Sequence, residues 1–165
     1  MIRMTKQTDY GIVLLTHLAS DPYGQHSAPE LAAALRIPLP TVSKILKALA
    51  RDGLLVSHRG VKGGYTLARS PEAISVAEII EALEGPIAMT ECVELPAGGH
   101  GDCSREPFCA VRSNWQAINR AVERALQDLT LAEMTHPLGV APTGGLVRLA
   151  ARRAGAAATA GKELA

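Results

Sequence analysis

Three cysteines, Cys92, Cys103 and Cys109, lie within eighteen residues of one glycine-rich stretch and nowhere else in the chain. Ten residues separate the first pair and five the second, with Pro96, Gly98, Gly99 and Gly101 making the longer spacer pliable. Thiols spaced this way do not form the paired C-x-x-C arms of a zinc knuckle. They can converge from a loop on a multi-iron centre, because such centres are held by thiolates. Zinc ligation, free redox thiols and inert side chains stay open on spacing alone. An odd count argues against a simple disulfide framework, and clustered thiols in a reducing compartment are more often ligands or redox groups.

The second chemical feature is charge. The net charge is only +1, but Arg36, Lys44, Lys47, Arg51, Arg59, Lys62 and Arg69 face a single acid, Asp52, over residues 36 to 69. That local +6 is the footprint expected of a surface that meets nucleic-acid phosphates. The rival role for the same cations is a protein-contact surface.

The elements that must carry these groups follow from periodicity and punctuation. Apolar residues make up 47% of the chain and aromatics 3%, so the core must be aliphatic and the fold mostly α. Tyr10, Val13, Leu14, His17 and Leu18, with Ile12 and Leu15 widening the stripe, predict one face of a helix from Thr5 to Ala19, with His17 a packed histidine. Ser27, Pro29 and Glu30 signal the start of a short helix ending at Leu35. After Arg36-Ile37-Pro38-Leu39-Pro40, Thr41 caps a second helix to about Asp52. Its Val42, Ile45, Leu46 and Leu49 face inward, and Gly53 closes it. Leu54–His58 and Tyr65–Ala68 then alternate around a basic glycine loop, a β-hairpin. Helix-turn-helix plus hairpin is a winged helix, and Ser75 to Leu83 adds a further helix.

Downstream of the cysteines, Val111, Trp115, Ile118, Val122, Ala125 and Leu129 repeat at alternating spacings of four and three. That is a heptad seam. It predicts one long helix, about Ala110 to Met134, pairing with its copy in a homodimer or packing on its own domain. The expected organisation is a winged-helix DNA-binding domain at 1–86, a cysteine loop at 87–109, a dimerisation helix at 110–137 and a disordered, alanine-rich tail at 138–165. No secretory signal or long apolar run is evident, which points to a cytoplasmic protein with no membrane partner.

Within the winged helix, Thr41, Ser43 and Lys44 stand near the start of the recognition helix and are placed to reach base edges or phosphates. Lys47 is better suited to phosphate. Arg59 and Lys62 at the wing tip suit an adjacent minor groove. A thiol redox enzyme is the alternative from another class. It lacks a C-x-x-C pair and a nucleophile-base constellation, implies a small-molecule substrate for which no signature appears, and leaves the basic helix unexplained.

The segments Thr5-Lys6 to Gly11, Pro38 to Lys44, His58 to Tyr65 and Ala77 to Gly85, with the three-cysteine loop, resemble one family across Met1 to Pro137. It is the dimeric winged-helix family of iron-sulfur regulators that includes IscR, NsrR and RirA, and the chain is most similar to the regulators of the SUF iron-sulfur assembly operon. The resemblance implies a repressor that binds palindromic double-stranded promoter DNA as a homodimer. It also implies an iron-sulfur cluster, four-iron or two-iron, on Cys92, Cys103 and Cys109, and DNA affinity that changes with cluster status. Asp9 matches the acidic residue that some members supply in trans as fourth ligand. The histidine that others place three residues after the last cysteine is Arg112 here, and Val13 stands where a third variant needs a histidine. The first cysteine gap is longer than the five residues common in the family, and His100 within it is an alternative ligand. Nitric-oxide- or iron-responsive repressors share the same scaffold.

Overall fold

The computed structural model describes residues 4–60, 63–90 and 108–136. Helix α1 spans Lys6–Ser20, α2 Ala28–Leu35 and α3 Leu39–Arg51. Strands β1, Leu55–His58, and β2, Gly64–Leu67, form an antiparallel hairpin with Leu55 opposite Leu67 and His58 opposite Gly64. A single 3-10 turn, Pro71–Ala73, leads to α4, Val76–Glu84. After the cysteine region come α5, Arg112–Gln127, and α6, Leu131–Met134. Among the described residues, six helices and a two-stranded hairpin make a mostly α winged helix, as the sequence predicts.

Local signals set most of these ends. Thr5 caps α1 by accepting the Thr8 N–H, and Ser27 with Glu30, then Ser75 with Glu78, form reciprocal capping boxes on α2 and α4. α2 stops at Arg36, whose φ of 54° is left-handed, turning the chain sharply into α3. There the start differs from expectation. α3 begins at Leu39 after Pro38, with no side-chain cap, and Thr41 lies inside the first turn. Pro40 fits that turn because its missing N–H would have had no helical partner. Gly53, φ 76°, then carries the chain out of the helix as expected.

Leu14, Leu15, Leu18, Leu31, Val42, Ile45, Leu46, Leu49, Ile74 and Ile79 are all at most 1% exposed and form the core between α1, α2, α3 and α4. On α1, Leu14, Leu15 and Leu18 of the predicted stripe face inward, and the buried face extends to residues outside it. Thr8, Gly11, Leu14, Leu15 and Leu18 are buried, whereas Val13 is exposed. Gly11 sits where α1 meets Leu83 of α4, a closeness that leaves no room for a β-carbon.

The long helix predicted to run from 110 to 134 is two helices. α5 ends at Gln127, and Thr130 with Glu133 forms a fresh capping box on α6. The break lets Leu131, 0% exposed, drop into the core while its N–H donates to the Ile74 carbonyl at 2.8 Å. The Leu129 carbonyl accepts from Val76 N at 2.9 Å, so Leu129 is stitched to the start of α4 and leaves the helical seam. Among the described residues no helix is long and apolar enough to cross a membrane. The tail at 138–165 lies outside the described residues.

Candidate DNA-binding face and cysteine site

α3 is strongly two-faced. Val42, Ile45, Leu46 and Leu49 are fully buried, which turns Lys44 and Lys47 outward and leaves Thr41 and Ser43 half-buried at the helix start. The turn into α3 presents Arg36, also exposed. In the wing, Arg59 is exposed beside Gly60, whose φ of 115° only glycine adopts without strain. Gly63 and Gly64 are required by close backbone approach, since a β-carbon would stand 2.5 Å from the His58 carbonyl oxygen and 2.7 Å from that of His26 respectively. Lys62 lies outside the described residues.

The seven-cation count overstates the positive field. Arg51 pairs with Asp52 at 3.0 Å and Arg69 with Glu78 at 2.6 Å. Burial raises the Glu78 carboxyl, but bonds from Ser75 and Arg69 overcome it and hold the group below the usual carboxylate range. Arg36, Lys44, Lys47 and Arg59 make no ion pair among the described residues, so they are the cations available to a polyanion. The sequence reading also missed a partner of the wing. His26 pairs its backbone with Tyr65, N–H to carbonyl in both directions at 3.1 and 2.9 Å, and a groove of about 370 Å³ opens between Ser27-Ala28 and residues 57–60 and 63–65. His17 is half-buried, with its ring edge-on to His26 at 5.9 Å.

Cys109 is half-buried at the start of α5, where its carbonyl accepts the Arg112 N–H at 3.3 Å. Cys92, Cys103 and His100 lie outside the described residues. Among those described, no group of three His, Cys, Asp or Glu side chains could hold a metal. Asp9 is exposed in the first turn of α1, open to a neighbouring molecule and turned away from its own core. That turn is clamped to the end of α4. The buried Thr8 hydroxyl donates to the Glu84 carboxylate, Thr5 N–H donates to the same oxygen at 3.0 Å, and the Gln7 amide donates to the Leu83 carbonyl at 3.2 Å. The Thr8 bond is the main reason the Glu84 carboxyl sits below its usual range.

α5 contributes two opposed faces. Val111, just before it, Trp115 and Ile118 are 50, 36 and 44% exposed, and Val122 and Ala125 are half-buried. The face toward its own domain is polar. There Asn119, 7% exposed, accepts from Met89 N and donates to the Ile87 carbonyl, both at 2.9 Å, and Glu123 lies near Glu81 of α4. Burial, then the negative charges of Glu123 and Glu78, push Glu81 up. Of the seam, Val111, Trp115 and Ile118 are thus exposed, Val122 and Ala125 half-buried, and Leu129 bonded to α4 of its own chain.

A family described as Rrf2, iron-dependent transcriptional regulator, matches residues 4–137. An HTH-type transcriptional regulator of Synechocystis is 33% identical over 135 residues, covering 81% of this chain and 87% of that one. Among solved structures, CymR, the global cysteine regulator of B. subtilis, superposes with a TM-score of 0.62 at 29% identity, over 82% of this chain and 97% of its own. IscR of T. potens gives a TM-score of 0.62 at 26% identity, over 88% and 96%.

Proposed function

Because the chain belongs to the Rrf2 family of winged-helix transcriptional regulators, and is thus a regulator and not an enzyme, we propose that it is a homodimeric repressor whose DNA affinity follows the state of an iron-sulfur cluster. The observation that carries this reading is the position of α5. Cys109 stands three residues before the helix, and an apolar stripe runs along it, exposed at Val111, Trp115 and Ile118 and half-buried at Val122 and Ala125. A group held at the cysteines thereby acts on the element that sets the spacing of two subunits.

The donor set fits an iron-sulfur cluster. Cys92, Cys103 and Cys109 would supply three soft thiolates, and Asp9, exposed on α1, would supply a carboxylate to a partner subunit. When bound, such a cluster supplies iron–sulfur bonds that oxidant, nitric oxide or iron shortage can break. On the chain's side, Thr41, Ser43, Lys44 and Lys47 of α3 meet the major groove, and Arg59 and Lys62 meet the flanking minor groove. α5 fixes the distance between the two copies of α3. A change in that distance that costs about 1–3 kcal/mol alters operator affinity about 5- to 150-fold. Resemblance to the SUF operator-binding regulators supports iron-sulfur assembly genes as the target, and the family's iron-dependent description supports the metal.

The test is operator binding by anaerobically prepared holo and apo protein over a range of salt concentrations. Each phosphate neutralised adds roughly −0.9 to the log–log salt slope. Equal affinity of the two forms at every salt concentration refutes the switch. A second reading is the one the cysteine spacing leaves open: regulation through free redox thiols without metal. It predicts full DNA-binding control in protein that native mass spectrometry finds free of iron. Rapid loss of DNA binding at near-stoichiometric nitric oxide would instead mark a nitric-oxide-responsive repressor.

A further inference from the structure

Asn119 and Thr8 are the two buried polar residues among those described, and Asn119 stands in the middle of α5. Asparagine is a poor residue for a helix interior, and its carboxamide buried without partners would be costly. Both halves of that amide are used. The oxygen accepts Met89 N–H and the NH₂ donates to the Ile87 carbonyl, an assignment fixed by its partners, since the flipped amide would oppose donor to donor and acceptor to acceptor. The two partners are backbone atoms of residues 87–89, which leave α4 through Gly85-Pro86 and lead to the cysteines.

The chain lengths agree with an anchor at this point. Seven residues of helix separate Asn119 from Arg112 at the head of α5, a rise of about 10 Å. The three residues from Met89 to Cys92 can span at most about 10 Å. Cys109 lies three residues before that head. An anchor at Met89 limits how far along the chain the first cysteine can stand from this point of α5 to about 10 Å.

We infer that Asn119 is a positioning residue that anchors the stem of the cysteine loop to the dimer helix and so couples the state of the cysteines to subunit spacing. The inference rests on the cluster reading above. The residue touches no ligand and acts through Ile87 and Met89. Cysteines held by a metal would restrain the stem at one end, and Asn119 would carry that restraint to the middle of α5, beside the exposed Trp115 and Ile118.

The experiment compares wild type with Asn119→Leu, near in size but lacking both bonds, and with Met89→Pro, which removes the N–H from the stem and leaves α5 untouched. Each protein is reconstituted anaerobically with iron and sulfide. Cluster lifetime is followed by visible absorbance under a chelator, amide exchange is read at residues 87–90, and operator affinity is measured in both forms. The expected result is a dimer with apo affinity within about twofold of wild type, faster exchange at 87–90, a cluster lifetime shortened about tenfold or more, and a holo-to-apo affinity ratio falling toward one. A variant that melts earlier yet keeps wild-type cluster lifetime and affinity ratio makes Asn119 merely structural and overturns the inference. If either variant fails to fold, the other decides. Wild-type protein that takes up no cluster, or whose two forms bind alike, overturns the cluster reading itself along with this one. A wild-type switch that persists in the variants overturns the anchor alone.

Discussion

Truncating Ile118 to alanine should separate the dimer while sparing the monomer, and the structure sets the size of the effect. Ile118 is 44% exposed on the outer face of α5. Full burial of an isoleucine side chain is worth about 1.5–3 kcal/mol, so covering the exposed remainder contributes about 1 kcal/mol per copy. A symmetric interface counts the residue twice, giving about 2 kcal/mol, and the cavity left behind raises the loss toward about 4 kcal/mol. At 1.4 kcal/mol per decade the dimer dissociation constant rises at least about 30-fold. The monomer should change by no more than about 0.5 kcal/mol, because the residue lies outside the core and alanine favours the helix. Sedimentation equilibrium across a wide concentration range measures the shift, with Arg120→Ala, exposed and off the stripe, as the control. A dissociation constant within about threefold of wild type, or an equal loss in the control, would refute the assignment of this face.

Three further outcomes follow from the same geometry. Arg59→Ala should weaken operator binding in both cluster states and reduce the salt slope by about 0.9; unchanged affinity would remove the wing from the DNA face. Asp9→Ala should shorten cluster lifetime without disturbing the dimer, as judged by absorbance decay and sedimentation, whereas an unchanged lifetime eliminates it as a ligand. Thr8→Val tests the clamp between α1 and α4. Glu84 is held below its usual carboxylate range first by the Thr8 hydroxyl, then by Thr5 N–H against an opposing effect of burial. Its stabilisation is present above the unfolded-state pKa and lost as pH falls through the lower folded value. Glu84 is exposed, so screening keeps this ionisation-linked part below about 1 kcal/mol. Melting temperatures from pH 3 to 7 should show a gap between wild type and variant that narrows on acidification; a gap constant to pH 3 would sink the argument.

What could be read from the chain alone was whatever depends on neighbours in sequence. Ser27 with Glu30 and Ser75 with Glu78 announce helix starts because capping joins residues three apart. Val42, Ile45, Leu46 and Leu49 give the buried face of α3 because one helix turn repeats every 3.6 residues. The hairpin and its glycines follow from alternation and turn chemistry. Thr130 with Glu133 forms the same kind of helix start, but the heptad rhythm from Val111 to Leu129 predicts one helix drawn straight through it. Only the tertiary structure shows Leu131 filling a hole in the core and Leu129 bonded to Val76, contacts more than fifty residues apart in sequence that no periodicity encodes. Charge behaves alike. Seven cations are countable in the sequence, but that Arg69 belongs to Glu78 while Lys44 and Lys47 face solvent is settled by packing. Asn119 is the clearest case. In sequence it is one polar residue beside an apolar stripe, and its role exists only because the fold lays the backbone of Ile87 and Met89 against it, where a buried amide must find partners.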